Sequence, residues 1–334
     1  MRLIEHFWYR VRPAHLILYP LSLLFGAVAA LRRLAFRAGW LRSERMPVPV
    51  IVAGNISVGG TGKTPLVIWL VERLRAHGMH PGIVSRGHGG QGLVRAVTPD
   101  TDTDAAGDEP VLLAARSDCP VWIGRRRAEA ARALLRAHPE VDVLVCDDGL
   151  QHYALARDAE IAVVDGERRF GNGMLLPAGP LREPRSRLAH VNAIVINGGE
   201  PLEGMHPPQF SMQLSGDMLV NLRDPAIRTP AAQFAQRTVH AVAGIGNPER
   251  FFAHLRALGM RITAQPFPDH HRFSEDDLAL FGDGHVVMTQ KDAVKCRAFA
   301  RDNFWYLPVD AQVDDALGRC LLDTLKARNG RQAP

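Results

Sequence analysis

Pro49-Val50-Ile51-Val52-Ala53-Gly54-Asn55-Ile56-Ser57-Val58-Gly59-Gly60-Thr61-Gly62-Lys63-Thr64-Pro65 is the stretch that decides the fold of this 334-residue chain. Its first six residues form an apolar run of strand length, a glycine-rich bend follows, and a helix-forming segment then runs from Lys63 to His77, where Gly78 ends it. A strand, a glycine turn and a helix that opens on Gly-Lys-Thr is the setting a phosphate-binding loop requires. Gly59, Gly60 and Gly62 allow the backbone to curl so that its N–H groups face an anion, and the helix N-terminus adds the positive end of its dipole. Lys63 would reach the β- and γ-phosphates, and the Thr64 hydroxyl would bind Mg²⁺. Ser57, Val58, Gly59, Gly60, Thr61, Gly62, Lys63 and Thr64 are therefore the candidate nucleotide-binding residues. Ser57 stands where G-x-x-x-x-G-K-T has its first glycine. Two absences favour an ATP-using enzyme over a nucleotide switch. Val58 replaces the lysine of partition-type ATPases, and Gln290-Lys291-Asp292 has the wrong spacing for the guanine-reading N-K-x-D.

Outward from this core, further strands are expected at Gly82–Ser85, Val121–Ile123, Asp142–Cys146, Ile161–Val164 and Ala193–Ile196, with a helix over Arg127–Ala137. Strands alternating with helices predict a P-loop NTPase-type α/β fold with a mostly parallel sheet covered on both faces. The pattern loosens around Asn197–Gly216, so a boundary is placed there. Residues 46–200 are expected to form the nucleotide-binding domain, and residues 201–334 a second, smaller α/β domain closing over the active site. In that second part, strands are expected at Met218–Asn221, Val239–Ala243, Val286–Thr289 and Trp305–Leu307. Helices are expected at Pro248–Leu258, Glu275–Leu280 and Val313–Arg328.

Val141 to Gly149 runs as a largely apolar strand and delivers Asp147 and Asp148 at its C-terminal tip, the edge where ligands bind in open α/β sheets. One of them would hold Mg²⁺ directly or through water. Gly107-Asp108-Glu109-Pro110 is a second acidic pair. It reads equally as a helix start with Pro110 in the first turn or as a carboxylate near an acceptor hydroxyl, which makes Asp108 a candidate base.

Residues 1–45 form a separate unit. Ala14 to Leu31 contains no Asp, Glu, Lys or Arg, and as a helix it would span about 27 Å, just short of a bilayer core. Arg10 and Arg12 flank one end and Arg32 and Arg33 the other, with Trp8, Tyr9 and Trp40 outside the run and Pro20 inside it. A cleaved export signal and a buried core helix compete with a membrane anchor. Export would separate a nucleotide site from ATP, and the favoured reading is a helix lying in the interface with both flanks cytoplasmic. The 46% hydrophobic content excludes a bundle of spans. The net charge of +5 suits anionic partners, but no nucleic-acid motif appears, so nucleic acid is not an expected partner. Cys119, Cys146, Cys296 and Cys320 show no pairing or metal-ligand spacing. Of the 40 basic residues only Lys63, Lys291, Lys295 and Lys326 are lysines. In so arginine-rich a chain, a retained lysine points to a place that needs a compact ammonium.

Taken together the motifs resemble the tetraacyldisaccharide 4′-kinase family. The resemblance rests on Gly54 to Pro65, Ser85-Arg86-Gly87, Gly107-Asp108-Glu109-Pro110 and Asp147-Asp148-Gly149-Leu150-Gln151-His152. It continues through Leu176-Pro177-Ala178-Gly179-Pro180-Leu181-Arg182-Glu183-Pro184, Phe267-Pro268-Asp269-His270-His271 and Thr289-Gln290-Lys291-Asp292-Ala293-Val294-Lys295. Ser57 fits the family pattern, and Gln290 stands where Glu is expected. The resemblance implies ATP- and Mg²⁺-dependent phosphorylation of the 4′-hydroxyl of a tetraacylated glucosamine disaccharide 1-phosphate, giving lipid IVA. The hydrophobic N-terminus would engage the cytoplasmic face of the bacterial inner membrane. Asp108 would be the catalytic base, paired with His270 or, failing that, His271. Lys63 would be catalytic, and Thr64 and Asp147 would serve the metal. Glu109, Asp148 and Glu183 would support the metal, and Arg127 and Arg182 would contact phosphate. Lys291 and Lys295, if not solvated, would meet anions such as the lipid phosphate. Two rivals remain: a membrane-associated P-loop ATPase switch and a soluble small-molecule kinase.

Overall fold

The computed structural model describes residues 8–9 and 15–329; the flanking Arg10, Arg12 and Ala14 lie outside them. Two sheets organise the described chain. From edge to edge the larger runs β15 (Asp310–Val313), β8 (Gln209–Ser215), β7 (Ala193–Asn197), β6 (Ala159–Asp165), β1 (Val50–Gly54), β5 (Val143–Asp147), β2 (Pro81–Ser85), β4 (Val121–Ile123) and β3 (Arg95–Val97). Only the edge strands β15 and β3 pair antiparallel. The central strands β1, β5 and β6 are buried along their whole length, as a parallel sheet covered on both faces requires.

Helix α1 (His15–Arg37) precedes the sheet, and α2 (Lys63–Ala76) follows β1. Leu66, Val67, Leu70, Val71 and Leu74 of α2 are buried, at the spacing that keeps one stripe against the strands. Each such leucine contributes about 1.5–3 kcal/mol of burial. The short α3 (Thr103–Ala106) leads through Gly107 into α4 (Asp108–Arg116), and α5 (Arg127–Ala137) follows β4.

The second lobe is a sheet in the order β10 (Arg228–Pro230), β9 (Met218–Asn221), β14 (Phe304–Leu307), β13 (Val286–Thr289), β11 (Thr238–Ala243) and β12 (Arg261–Pro266). Its helices are α6 (Pro248–Ala257), α7 (Glu275–Ala279) and α8 (Gln290–Cys296). The last helix, α9 (Asp315–Asn329), returns to the first lobe, where Leu317, Leu321 and Leu325 join the core that α2 covers.

The division between the sheets does not coincide with the expected division at residue 200. β8 pairs with β7, and β15 pairs with β8, so the chain leaves the large sheet after Ser215 and re-enters it at Asp310. The reason is legible in β8 after the fact. Phe210 and Met212 alternate inward between exposed Ser211 and Gln213, a half-buried strand that the surrounding Gly, Pro and polar residues disguise. The expected helix from Val313 likewise begins two residues later, because Val313 closes β15.

Candidate functional site

The phosphate loop leaves β1 through buried Asn55, whose Nδ2 donates to the Gly59 carbonyl at 3.4 Å and to Thr61 Oγ1 at 3.3 Å. Gly62 caps α2 with φ 90°, and a Cβ there would lie 2.5 Å from Asn197 Nδ2. Both conformation and space therefore demand glycine. Asn197 Nδ2 donates to the Thr61 carbonyl at 3.0 Å, and the Val58 N–H donates to the Pro180 carbonyl at 2.8 Å. The loop is thus braced from β7 and from the Leu176–Pro184 segment. Lys63 is the first residue of α2, and its Nζ lies 3.6 Å from Asp148.

Asp147 and Asp148, adjacent at the end of β5, occupy opposite electrostatic environments. Asp147 is buried; Ser85 Oγ donates to its Oδ2 at 3.1 Å, and Oδ1 has no partner among the described residues. Burial, with the charges of Glu109 and Asp148, pushes its carboxyl up to about 7. Asp148 turns away through a left-handed φ of 46° and accepts from Arg182 at 3.0 and 3.2 Å. Burial opposes its ionisation, but Lys63, Arg182 and Arg127 outweigh that and hold its carboxyl well below the usual range.

Asp108 opens α4 and is 5% exposed. His270 Nδ1 lies 3.1 and 3.2 Å from its two oxygens, across 162 positions of chain and between the lobes. Burial disfavours the Asp108 carboxylate, yet the His270 hydrogen bond with Lys291 and Lys295 holds its pKa far below the ordinary value. His270 itself is raised above the usual imidazole value, chiefly by the Asp108 hydrogen bond. Its left-handed φ of 58° is fixed by backbone donation to Gly244 O at 3.2 Å and Asp269 Oδ1 at 3.1 Å. His271 points elsewhere, to Asp277 at 3.2 Å and the rings of Phe267 and Phe273. The choice between the two histidines is therefore a choice of geometry, and His270 is the partner of Asp108.

The phosphate loop lines a cavity of about 1130 Å³. Its wall also includes Glu109, Asp147, Asp148, Arg182, Glu183, His270 and Lys291, together with Phe25, Val28 and Ala29 of α1. Asp108 sits behind that wall, with His270 on the cavity.

The family model described as tetraacyldisaccharide-1-P 4′-kinase matches residues 14–326. Tetraacyldisaccharide 4′-kinase of Methylobacillus flagellatus is 52% identical over 325 residues, covering 97% of this chain and 96% of that one. The protein of the same name from Azoarcus sp. is 52% identical over 96% of this chain and 94% of its own length. A crystal structure of the Aquifex aeolicus LpxK in complex with ATP superimposes with a TM-score of 0.78 at 28% identity, covering 93% of this chain and 99% of that chain. The chain belongs to the tetraacyldisaccharide 4′-kinase family.

Within this family fold, several residues sit differently from expectation. Arg127 is buried, and it donates to the backbone carbonyl of Asp148 at 3.0 Å, so its guanidinium braces the turn instead of facing the cavity. Arg182, expected at phosphate, lines the cavity and pairs with Asp148 at 3.0 Å. Glu183 is 4% exposed and accepts from Gln151 Nε2 at 2.9 Å and from the Tyr153 hydroxyl. Lys291 and Lys295 are not solvated; both face Asp108 at 3.9 Å.

Three contributors escaped the sequence reading as individuals. Ser85 holds Asp147, Asn197 braces the loop, and Arg168 donates both to the Gly60 carbonyl and to Gly246 O of the second lobe at 3.3 Å. Ser85 lay in a quoted motif. Asn197, at a strand end, and Arg168, in a turn, carry no local pattern that marks them.

Proposed function

We propose that this chain transfers the γ-phosphate of ATP to the 4′-hydroxyl of a tetraacylated disaccharide 1-phosphate, giving lipid IVA, at the cytoplasmic face of the bacterial inner membrane. The observation that carries this reading is the single cavity walled both by the phosphate loop and by the apolar helix α1. A nucleotide triphosphate and an acylated acceptor could share such a space, whereas a water-soluble acceptor has no use for Phe25, Val28 and Ala29.

In this reading Lys63 and the loop N–H groups orient the β- and γ-phosphates. The residues present fit Mg²⁺: Thr64 on the cavity and the unpartnered Oδ1 of Asp147 are hard oxygen donors, and the raised Asp147 carboxyl marks excess local negative charge. Bound there, the ion would neutralise charge on the transferring phosphoryl group. The acceptor proton passes to the Asp108–His270 pair. Asp108 sits behind the wall, so the imidazole of His270, which lines the cavity and is raised by the Asp108 hydrogen bond, takes the proton while Asp108 orients it.

Membrane association is read from α1. Ile17, Leu21, Leu24, Val28 and Leu31 recur at helical spacing and are all more than half exposed. The helix is also tied down: Ser22 Oγ, away from that stripe, donates to Leu175 O at 2.9 Å and accepts from Ala178 N at 2.9 Å, and Arg32 donates to Gln151 O at 3.0 Å. A helix fastened along its length to the lobe favours lying in the interface over crossing the bilayer.

The test is incubation of purified protein with γ-labelled ATP and disaccharide lipid in mixed micelles, followed by chromatography of the lipid. Label appearing in the lipid only when Mg²⁺ is present supports the reading. ATP hydrolysis indifferent to added glycolipid would instead favour a P-loop switch.

A further inference from the structure

Lys291 is one of four lysines against an arginine background, and it is placed where no phosphate group is needed to explain it. Its Nζ lies 3.1 Å from Glu109 Oε1, 3.5 Å from Asp269 Oδ1, 3.9 Å from Asp108 Oδ2 and 3.4 Å from His270 Nε2. Lys295, one turn on, contacts Asp292 at 2.6 Å and Asp108 Oδ2 at 3.9 Å, with its ammonium 4.9 Å from the Phe273 ring centroid. Asp292 is fixed in turn by the Gly244 N–H at 2.8 Å and the Thr289 hydroxyl at 2.7 Å. Asp108 and Glu109 belong to the first lobe, and the cations in contact with them, Lys291, Lys295 and the ring of His270, come from α8 and the Asp269–His270 loop.

We propose that Lys291 is a positioning residue for phosphoryl transfer: its ammonium holds the Asp108–His270 pair in register across the two lobes, resting 3.4 Å from His270 Nε2 until the acceptor hydroxyl takes that place, while screening Asp108, Glu109 and Asp269 from one another. The contact at Nε2 selects one neutral tautomer, with the ring proton on Nδ1 facing Asp108 and the lone pair on Nε2. A planar guanidinium is too wide to lie among four partners within 3.9 Å, which accounts for a lysine here. This proposal rests on the phosphotransfer reading above.

The His270 ring meets Asp108 from α4, Asp269 from its own loop, Lys291 from α8 and His88, whose ring centroid is 5.4 Å away; Glu109, against Lys291, and Lys295, against Asp108, stand one partner further out. Removing the Lys291 charge takes away a cation that disfavours imidazolium, so the His270 midpoint must rise.

The experiment is nitrogen NMR of the full-length protein labelled in histidine, with the His270 signals assigned by their loss in H270Q, alongside steady-state kinetics. In Lys291→Met the His270 midpoint is expected to rise by about half a unit or more. The kcat for lipid phosphorylation should fall about tenfold, with both KM values within about twofold of wild type. Lys291→Arg should restore only part of the midpoint shift and part of kcat, because it returns the charge but not its place among the four partners. An unmoved midpoint and unchanged kcat in folded K291M would overturn the proposal, and so would weakened ATP binding with an unmoved midpoint, which would make Lys291 a nucleotide ligand. Should K291M fail to fold, Glu109→Gln reads the same network with the opposite sign: the midpoint must fall, and an unmoved one overturns the proposal. Wild-type protein inactive on glycolipid would defeat the phosphotransfer reading, while the ring titration would still report on Lys291.

Discussion

The two halves of the cavity are built on different principles. The half proposed for the nucleotide is local: Ser57 to Thr64 are consecutive, and what they offer a phosphate is backbone N–H groups, two left-handed glycines and one lysine at a helix start. The half proposed for the acceptor is assembled from distance, since Asp108 and His270 lie 162 positions apart on separate lobes and are joined by a side-chain hydrogen bond. A backbone cradle survives most side-chain changes outside its glycines and lysine. A charge cluster drawn from two lobes depends on each member and on the lobes being together.

Substitutions at the two halves should therefore fail in different ways. Lys63→Met is expected to have the largest effect, a loss of about 10³-fold or more in turnover together with weakened ATP binding measured by calorimetry. Asp108→Asn should lower kcat by about 10²–10³-fold with ATP affinity intact; loss of nucleotide binding in D108N would erase the distinction between the halves. Next come the histidines. His270→Gln should cost a comparable loss in kcat, about 10²-fold or more, while His271→Gln, whose ring is held by Asp277 and two phenylalanines, should stay within about twofold. Equal losses in the two variants would remove the geometric assignment of the pair.

Changes outside both halves sharpen the contrast. Leu21→Ser, Leu24→Ser and Leu31→Ser together should leave the thermal midpoint within a few degrees, because these side chains are more than half exposed. The same variant should release the protein from phospholipid vesicles in a flotation assay, each leucine contributing about 1.5–3 kcal/mol when buried in lipid.

The smallest effect concerns stability against pH. The folded pKa of His270 lies above its ordinary value. Its pairing with Asp108 therefore adds stability that is complete below about pH 6.5 and fades as pH rises through the raised folded value. Unfolding midpoints measured from pH 6 to 9 should fall slightly more steeply in wild type than in H270Q.

Much of the first half could be read from the chain, because a strand, a glycine bend and Gly-Lys-Thr are contiguous and their physics is local. The apolar strand leading to Asp147 and Asp148 was equally plain. Their opposite environments were not, since these depend on Arg182 and Lys63 closing on Asp148 while Ser85 meets Asp147. Arg127 illustrates the same limit: a phosphate ligand and a brace for a backbone carbonyl have identical sequence, and only the direction of the guanidinium separates them.

By itself the sequence determined the parallel α/β core, the nucleotide loop and the apolar N-terminal segment, all of which follow from periodicity, glycine placement and residues near one another in the chain. The tertiary structure decided which histidine meets Asp108, where the chain crosses between the sheets, and that Lys291 is enclosed by carboxylates. Each of these is a contact between segments far apart in sequence, and no local pattern encodes where two such segments will meet.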